Sequence, residues 1–246
     1  MALSEKTFNK WFNAFILIGM GVAVILATAL KVSAAETGRA LLLISAVGSL
    51  TGILSTVCSA NGIIWTFFFG FIDVTVYGVM CFLSGKYGNA LLHLLYFVPM
   101  QFVGLWQWKR RGSADGTADR KVRARRLSSG KRLLFSGAFL AGSVAAYFVL
   151  ARFSPDAAGR VLKMAVLTDA VSMVCNILGQ YLMSTAYMEQ WFFWIGVNVF
   201  SVIMWSITLR EGGDSFSLIY LIKYAFYLVN SLNGLRIWLR LSREEG

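Results

Sequence analysis

Long apolar blocks of similar size, separated by short polar breaks, run the length of the chain. Eight of them lie near 11–30, 40–58, 62–84, 88–108, 131–152, 159–181, 187–209 and 214–240. Each approaches the roughly 20 residues that an α-helix needs to cross a hydrocarbon core. In lipid the backbone must satisfy its own polar groups, so each block predicts a helix. The expected fold is an all-α integral membrane protein with eight transmembrane helices, forming one domain over 1–246.

The fourth and last blocks end alike. Tyr96-Phe97-Val98-Pro99-Met100-Gln101-Phe102-Val103-Gly104-Leu105-Trp106-Gln107-Trp108 can be laid over Phe226-Tyr227-Leu228-Val229-Asn230-Ser231-Leu232-Asn233-Gly234-Leu235-Arg236-Ile237-Trp238, and Gly-Leu-x-x-Trp recurs at the same offset. Such a repeat among membrane-length segments marks many small-molecule carriers, whose site lies between the repeats. A first triplet spans 40–108 and a second spans 159–240, with the block at 131–152 between them. One linker helix restores direction, so the two three-helix repeats run parallel (3+1+3) about an axis along the membrane normal. The helix at 11–30 lies outside this scheme and is expected at the periphery. Val-Ser-Ala-Ala follows it, as in a signal peptide, but the apolar run from Trp11 to Leu30 exceeds the usual h-region of roughly 7–15 residues. An uncleaved helix is expected.

Composition supports lipid as the solvent. The chain is 57% hydrophobic and 14% charged, against about 25% charged in soluble domains. Its net charge of +11 would suggest nucleic acid in a soluble protein. Here the basic residues crowd one loop and form no stripe interleaved with aromatics, so no nucleic-acid partner is expected. With eight helices, one side holds 15 cations: Lys6, Lys10, Lys109, Arg110, Arg111, Arg120, Lys121, Arg123, Arg125, Arg126, Lys131, Arg132, Arg236, Arg240 and Arg243. The other holds 7: Lys31, Arg39, Lys86, Arg152, Arg160, Lys163 and Arg210. Both termini and the 109–130 loop are therefore expected in the cytoplasm, the loop acting as linker and orientation anchor. Cys58, Cys81 and Cys175 form no CxxC and read as small packing residues. A single histidine leaves too few ligands for a His/Cys metal site, and neither metal nor cofactor is expected.

Polar side chains inside membrane helices must face protein, water or ligand. Asp73 sits midway through the third block, where an ionised carboxylate costs about 2.5–3.5 kcal/mol on insertion scales. Its repeat counterpart is Asn198, and the two are expected to face each other. Trp191, Trp194 and Asn198 share a helix face, and two indoles one turn apart form a slot for a flat, cationic ring. An interfacial aromatic belt is the alternative. Gln101, Gly104 and Trp108 share a face beyond Pro99, which bends or weakens the helix and frees a carbonyl. Asn230 and Asn233 on the last block, and Asn176 and Gln180 above Asp169 and Ser172 on the sixth, are further candidates for a hydroxylated or amide ligand. Ser45, Ser49, Gly52 and Thr56 on the second block read as close helix packing. His93 and Lys223 occupy equivalent positions near helix ends, where either could line the pathway, snorkelling being the alternative for Lys223. One His and one or two Asp make no proton relay, which favours uncoupled transport. The same sparseness argues against a membrane enzyme.

At Trp191-Phe-Phe-Trp194, Tyr-Phe-Val-Pro-Met-Gln101-Phe-Val-Gly104 and Phe-Gly-Phe-Ile-Asp73-Val-Thr75, the chain resembles the PnuC family of bacterial nicotinamide riboside transporters. The resemblance covers about 40–240. It implies a fold like that of the SWEET sugar carriers, a mid-membrane site between the triplets, and a homotrimer in the bacterial inner membrane. It also implies facilitated diffusion of nicotinamide riboside, trapped inside by a separate cytoplasmic kinase. Trp191 and Trp194 would hold the pyridine ring, and Asn198 and Gln101 the carboxamide or ribose hydroxyls. Asp73 departs from the family, where Asn is common. Thiamine, also an aromatic cation, riboflavin and, more remotely, a sugar remain alternative cargoes.

Overall fold

The computed structural model describes residues 2–34, 39–83, 87–111, 122–153, 164–210, 212 and 216–243. Lys86, Arg120, Lys121, Arg160 and Lys163, counted above for orientation, lie outside the described residues. The helices are α1 (Ala2–Ala34), α2 (Arg39–Ala60), α3 (Thr66–Leu83), α4 (Tyr87–Leu91), α5 (Val98–Arg111), α6 (Ser129–Phe153), α7 (Met164–Ser184), α8 (Gln190–Arg210) and α9 (Ser217–Leu241). A π-helical turn, Leu92–Phe97, joins α4 to α5. Seven helical stretches among the described residues are long and apolar enough to cross a membrane. The 25-residue α9 is not among them, because Lys223, Asn230, Asn233 and Arg236 dilute its apolar content.

Helix α2 packs on α3 and α9, α8 on α7 and α9, and α5 on α3 and α7, while α6 lies along α7. Helix α1 lies against α2 and α9. It buries Ile16, Met20, Val24 and Ala27, one stripe at helical spacing. Near its start Glu5 pairs with Arg240 and Asn9 accepts from Arg236, whose guanidinium also lies 4.6 Å from the Phe8 ring. The first helix is thus tied to the last by charge as well as by apolar contact. These contacts bring the start of α1 and the end of α9 to one end of the bundle.

The Gly-Leu-x-x-Trp repeat has a packing explanation. Gly104 lies beneath the Phe67 ring and Gly234 beneath the Trp191 ring; a methyl on Gly234 would lie 2.6 Å from Cζ2 of that indole. Each glycine of the motif thus receives an aromatic side chain from the first turns of α3 or α8. The tryptophans reach across the molecule. Trp108 Nε1 donates to the Met183 carbonyl of α7 (2.9 Å), and Trp238 Nε1 donates to the Ser59 carbonyl of α2 (3.0 Å). Together the buried Phe67, Trp108, Trp191, Trp238, Met183 and Met188 make a largely aromatic plug at the end where the start of α1 meets the end of α9.

The described part of the basic linker, 122–128, crosses this plug as a strap. Val122 N–H donates to Gly62 O (2.9 Å), in the turn between α2 and α3. Arg125 exchanges backbone hydrogen bonds with the corresponding α7–α8 turn, donating to Ala186 O and accepting from Met188 N–H, both at 2.8 Å. Gly62 (φ +70°) and Ala186 (φ +61°) both sit in the left-handed region that these turns require. The Glu189 carboxylate accepts from Leu127 N–H (3.1 Å) and pairs with Arg132 (3.3 Å). The second half of the linker therefore joins the two turns.

The glycine packing yields a test. Gly234→Ala forces a methyl against a buried indole, and overpacking of this kind costs about 1–3 kcal/mol. A lower thermal midpoint of the detergent-solubilised protein is expected; an unchanged midpoint would mean that Trp191 has room to move aside.

Candidate functional site

Above the plug, α2, α3, the π-turn, α5, α7, α8 and α9 enclose a central chamber of about 110 Å³. The π-turn helps to shape it. Pro99 has no N–H to continue the α-helical ladder. Just before it, Val98 N–H bonds the His93 carbonyl five residues back. The irregularity expected at Pro99 is therefore a π-helical turn, a feature frequent at functional sites. His93, Phe97 and Gln101 all line the chamber.

The strongest electrostatic feature is a buried ion pair. Lys223 Nζ bonds Asp73 Oδ1, and the Tyr227 hydroxyl donates to Oδ2 (3.1 Å). Four tyrosine rings surround the ammonium: Tyr77 at 4.8 Å, Tyr227 at 5.3 Å, and Tyr220 and Tyr224 at 5.6 Å. Gly52 of α2 leaves the space for this arrangement, since a Cβ there would lie 2.6 Å from the Asp73 carboxylate. Two expectations are corrected. Lys223 does not snorkel: it is 2% exposed and held by the carboxylate and the rings. Asp73 and Asn198 both line the chamber but are not each other's partners. Asn198 Nδ2 instead donates to Ser231 Oγ (2.7 Å), which donates to the Tyr227 carbonyl (2.8 Å).

The other wall carries rings and amides. Trp191 and Trp194 both line the chamber, Trp194 edge-on to Phe97 at 6.2 Å between centroids. Gln101 Nε2 donates to Phe97 O (3.2 Å), and its Oε1 lies over Gly70, 2.7 Å from where a Cβ would be. Gln101 Oε1 and Trp191 Nε1 are buried without a hydrogen-bond partner among the described residues. An orphaned acceptor and donor beside a chamber fit a ligand that brings its own amide and hydroxyls. Asn176 also lines the chamber, its Nδ2 bonded to Ser172 O (2.9 Å).

Asn230 and Asn233 are not brought to the chamber. An α-helix turns about 100° per residue, and the chamber face of α9 is set by Lys223, Tyr224, Tyr227 and Ser231. Asn233 points instead to the side that meets α1, where its Oδ1 accepts from Arg236 Nε (3.1 Å). Asn230 is fully buried away from the chamber lining. Sequence reading also passed over the tyrosine cage. Its signal was present: Tyr220, Tyr224 and Tyr227 stand at i, i+4 and i+7 around Lys223, and Tyr77 stands one turn after Asp73.

Known proteins share this plan. A family model described as nicotinamide mononucleotide transporter matches residues 42–240. The nicotinamide riboside transporter PnuC of Neisseria mucosa is 32% identical over 202 residues, covering 82% of this chain and 73% of that protein. The PnuC of Escherichia coli K12 is 27% identical over 224 residues, covering 82% and 87%. A crystal structure of the vitamin B3 transporter PnuC matches with a TM-score of 0.71 at 29% identity, over 92% of this chain and 93% of that one. On the extent of the sequence match, and with an architecture to agree, this chain belongs to the nicotinamide mononucleotide transporter family.

Proposed function

We propose that this protein carries nicotinamide riboside across the bacterial inner membrane through the central chamber. One observation carries the reading: the chamber combines two indoles and orphaned amide and indole hydrogen-bonding atoms with a cation already committed to a carboxylate. Nicotinamide riboside is a pyridinium bearing a carboxamide and a sugar. Its ring suits the faces of Trp191 and Trp194. Its amide and hydroxyls suit Gln101, Asn198 and Asn176. A mononucleotide would add a phosphate, and Lys223, the one Lys or Arg among the described lining residues, is bonded to Asp73. Admitting a phosphate would place it near Asp73 without a free cation, which disfavours it.

We read the fold as two parallel three-helix repeats joined by α6, with α1 outside them and α9 as an eighth crossing. The reciprocal Trp108 and Trp238 bonds support the repeat, and the meeting of the start of α1 with the end of α9 supports an even number of crossings. Both termini would then be cytoplasmic, with the strap. Transport would be facilitated diffusion in a homotrimer, each protomer holding a whole pathway, and a separate kinase would trap the nucleoside inside.

The direct test is uptake of labelled nicotinamide riboside by proteoliposomes, competed with excess unlabelled nicotinamide riboside, nicotinamide mononucleotide or thiamine. Saturable uptake blocked by the nucleoside alone is expected. Absence of nicotinamide riboside uptake, with labelled thiamine taken up saturably instead, would reassign the cargo.

Two variants probe the chamber. Trp194→Ala removes a stacking face at the edge of the plug while leaving its buried Trp108, Trp191 and Trp238 in place, and should weaken nicotinamide riboside binding by roughly 1–3 kcal/mol, read by calorimetry. Unchanged affinity would remove Trp194 from the site. The ion pair predicts non-additive stability. Breaking a buried pair by removing one partner costs about 3–5 kcal/mol, whereas replacing both is often close to neutral. Asp73→Asn and Lys223→Met should each lower the thermal midpoint sharply, and the double variant should recover much of the loss. Losses that simply add would show that the two charges do not stabilise one another.

A further inference from the structure

A second and larger cavity, about 450 Å³, opens at the end of the bundle opposite the plug. Its volume lies in the range of small-molecule sites, about 300–1,000 Å³. It is not a separate feature of the surface. Tyr77, His93, Asn176, Val197 and Tyr224 line both this cavity and the central chamber, so the two are divided by a shared wall.

One helix face runs through both. Asp169, Ser172, Asn176 and Gln180 stand on α7 at spacings of three, four and four, which keeps them on one side of the helix. Asp169 and Ser172 line the outer cavity, Asn176 lines both cavities, and Gln180 lines the central chamber. At about 1.5 Å per residue the row is roughly 16 Å long. Asp169 is exposed and has no ion-pair partner among the described residues, and no Lys or Arg is among those lining its cavity. It therefore differs from Asp73, whose charge is matched inside the protein. An unmatched carboxylate in a cavity with low-dielectric walls concentrates cations.

We propose that the outer cavity is an entry subsite for the cationic nucleoside, with Asp169 as its charge anchor and the α7 row as a polar track to the central chamber. The identity of the cation rests on the function proposed above; the electrostatic role of Asp169 does not. The substrate first meets Asp169, its sugar and amide exchanging water for Ser172 and then Asn176. It passes the wall when Tyr77 and Tyr224 yield. The wall is stiff because both rings also rest on the Lys223 ammonium.

Thiol chemistry tests this without presupposing the cargo. Ser172→Cys is introduced into purified protein with Cys58, Cys81 and Cys175 replaced by Ala. Its labelling rates with a cationic and an anionic methanethiosulfonate of similar size are then compared, each normalised to its rate with a free thiol. The cationic reagent is expected to react roughly ten-fold faster, with the advantage lost in Asp169→Asn and kept in Asp169→Glu. Saturating nicotinamide riboside is expected to slow the labelling, and to do so less in Asp169→Asn. Gel filtration of each variant checks folding. No cation preference, or one that Asp169→Asn leaves intact, overturns the proposal. So does nicotinamide riboside that is taken up by proteoliposomes yet gives no protection. An Asp169-dependent preference in a protein that neither transports nor is protected by nicotinamide riboside would uphold the cation subsite and overturn the assigned cargo.

Discussion

An ammonium group has been taken out of water and lipid alike at Lys223, and much of the central architecture follows from the need to hold it. Desolvating the charge costs several kcal/mol unless a partner of good geometry compensates. Asp73 supplies the opposite charge, Tyr227 satisfies the second carboxylate oxygen, and four ring faces supply the rest of the shell. The requirement spreads outward. Asp73 on α3 and Lys223 on α9 must lie side by side, and α2 must carry glycine at position 52 to let them meet. Two consecutive helices, α2 and α3, and the last helix, α9, are thereby fixed at one level.

The two ends of the bundle are built differently around this level. At one end, paired glycines and tryptophans draw the helices together. Each tryptophan spends its N–H on a carbonyl at the end of α2 or α7. The strap then ties the α2–α3 turn to the α7–α8 turn with backbone hydrogen bonds. At the other end no such plug forms among the described residues, and the 450 Å³ cavity takes its place. The closed end is aromatic and stitched by hydrogen bonds; at the open end Asn89, Asp169, Ser172, Asn176 and Ser201 line the cavity among apolar side chains. That contrast fits the carrier proposed above, with the chamber closed toward one end and nearer to solvent at the other.

The helices were legible in the sequence because the bilayer constrains segment length so strongly. Trp191, Trp194, Asn198, Gln101, Asp73 and Asn176 were legible because polar or amphipathic groups on apolar helices need a reason to be there, and all six line the chamber. What stayed hidden was pairing. Periodicity places residues on a face but does not say which helix that face meets. Asp73 was therefore matched with its repeat counterpart Asn198, whereas its charge is met by Lys223, 150 positions along the chain. Asn230 and Asn233 lie off the chamber lining for a related reason. Their amides resemble those of the chamber in kind, but the helix turn carries Asn233 toward α1 and Arg236. The π-turn was hidden because Pro99 announces a defect without saying how the backbone will absorb it.

A neutralised ion pair changes how a cation would be read. Had Asp73 been free, binding a pyridinium would rest on one strong charge–charge contact, and release would have to break it. With Lys223 in place, net charge at the chamber centre is near zero and the indole faces carry the attraction, a weaker interaction of about 0.5–2 kcal/mol. Weak central binding suits a carrier that must let go on the far side. The long-range pull then has to come from elsewhere, and Asp169 in the outer cavity, without an ion-pair partner among the described residues, can supply it without holding the cargo at the point of release. On this proposal capture falls to the exposed Asp169 carboxylate and recognition to the indole faces of the chamber, the two linked by the row of side chains along α7.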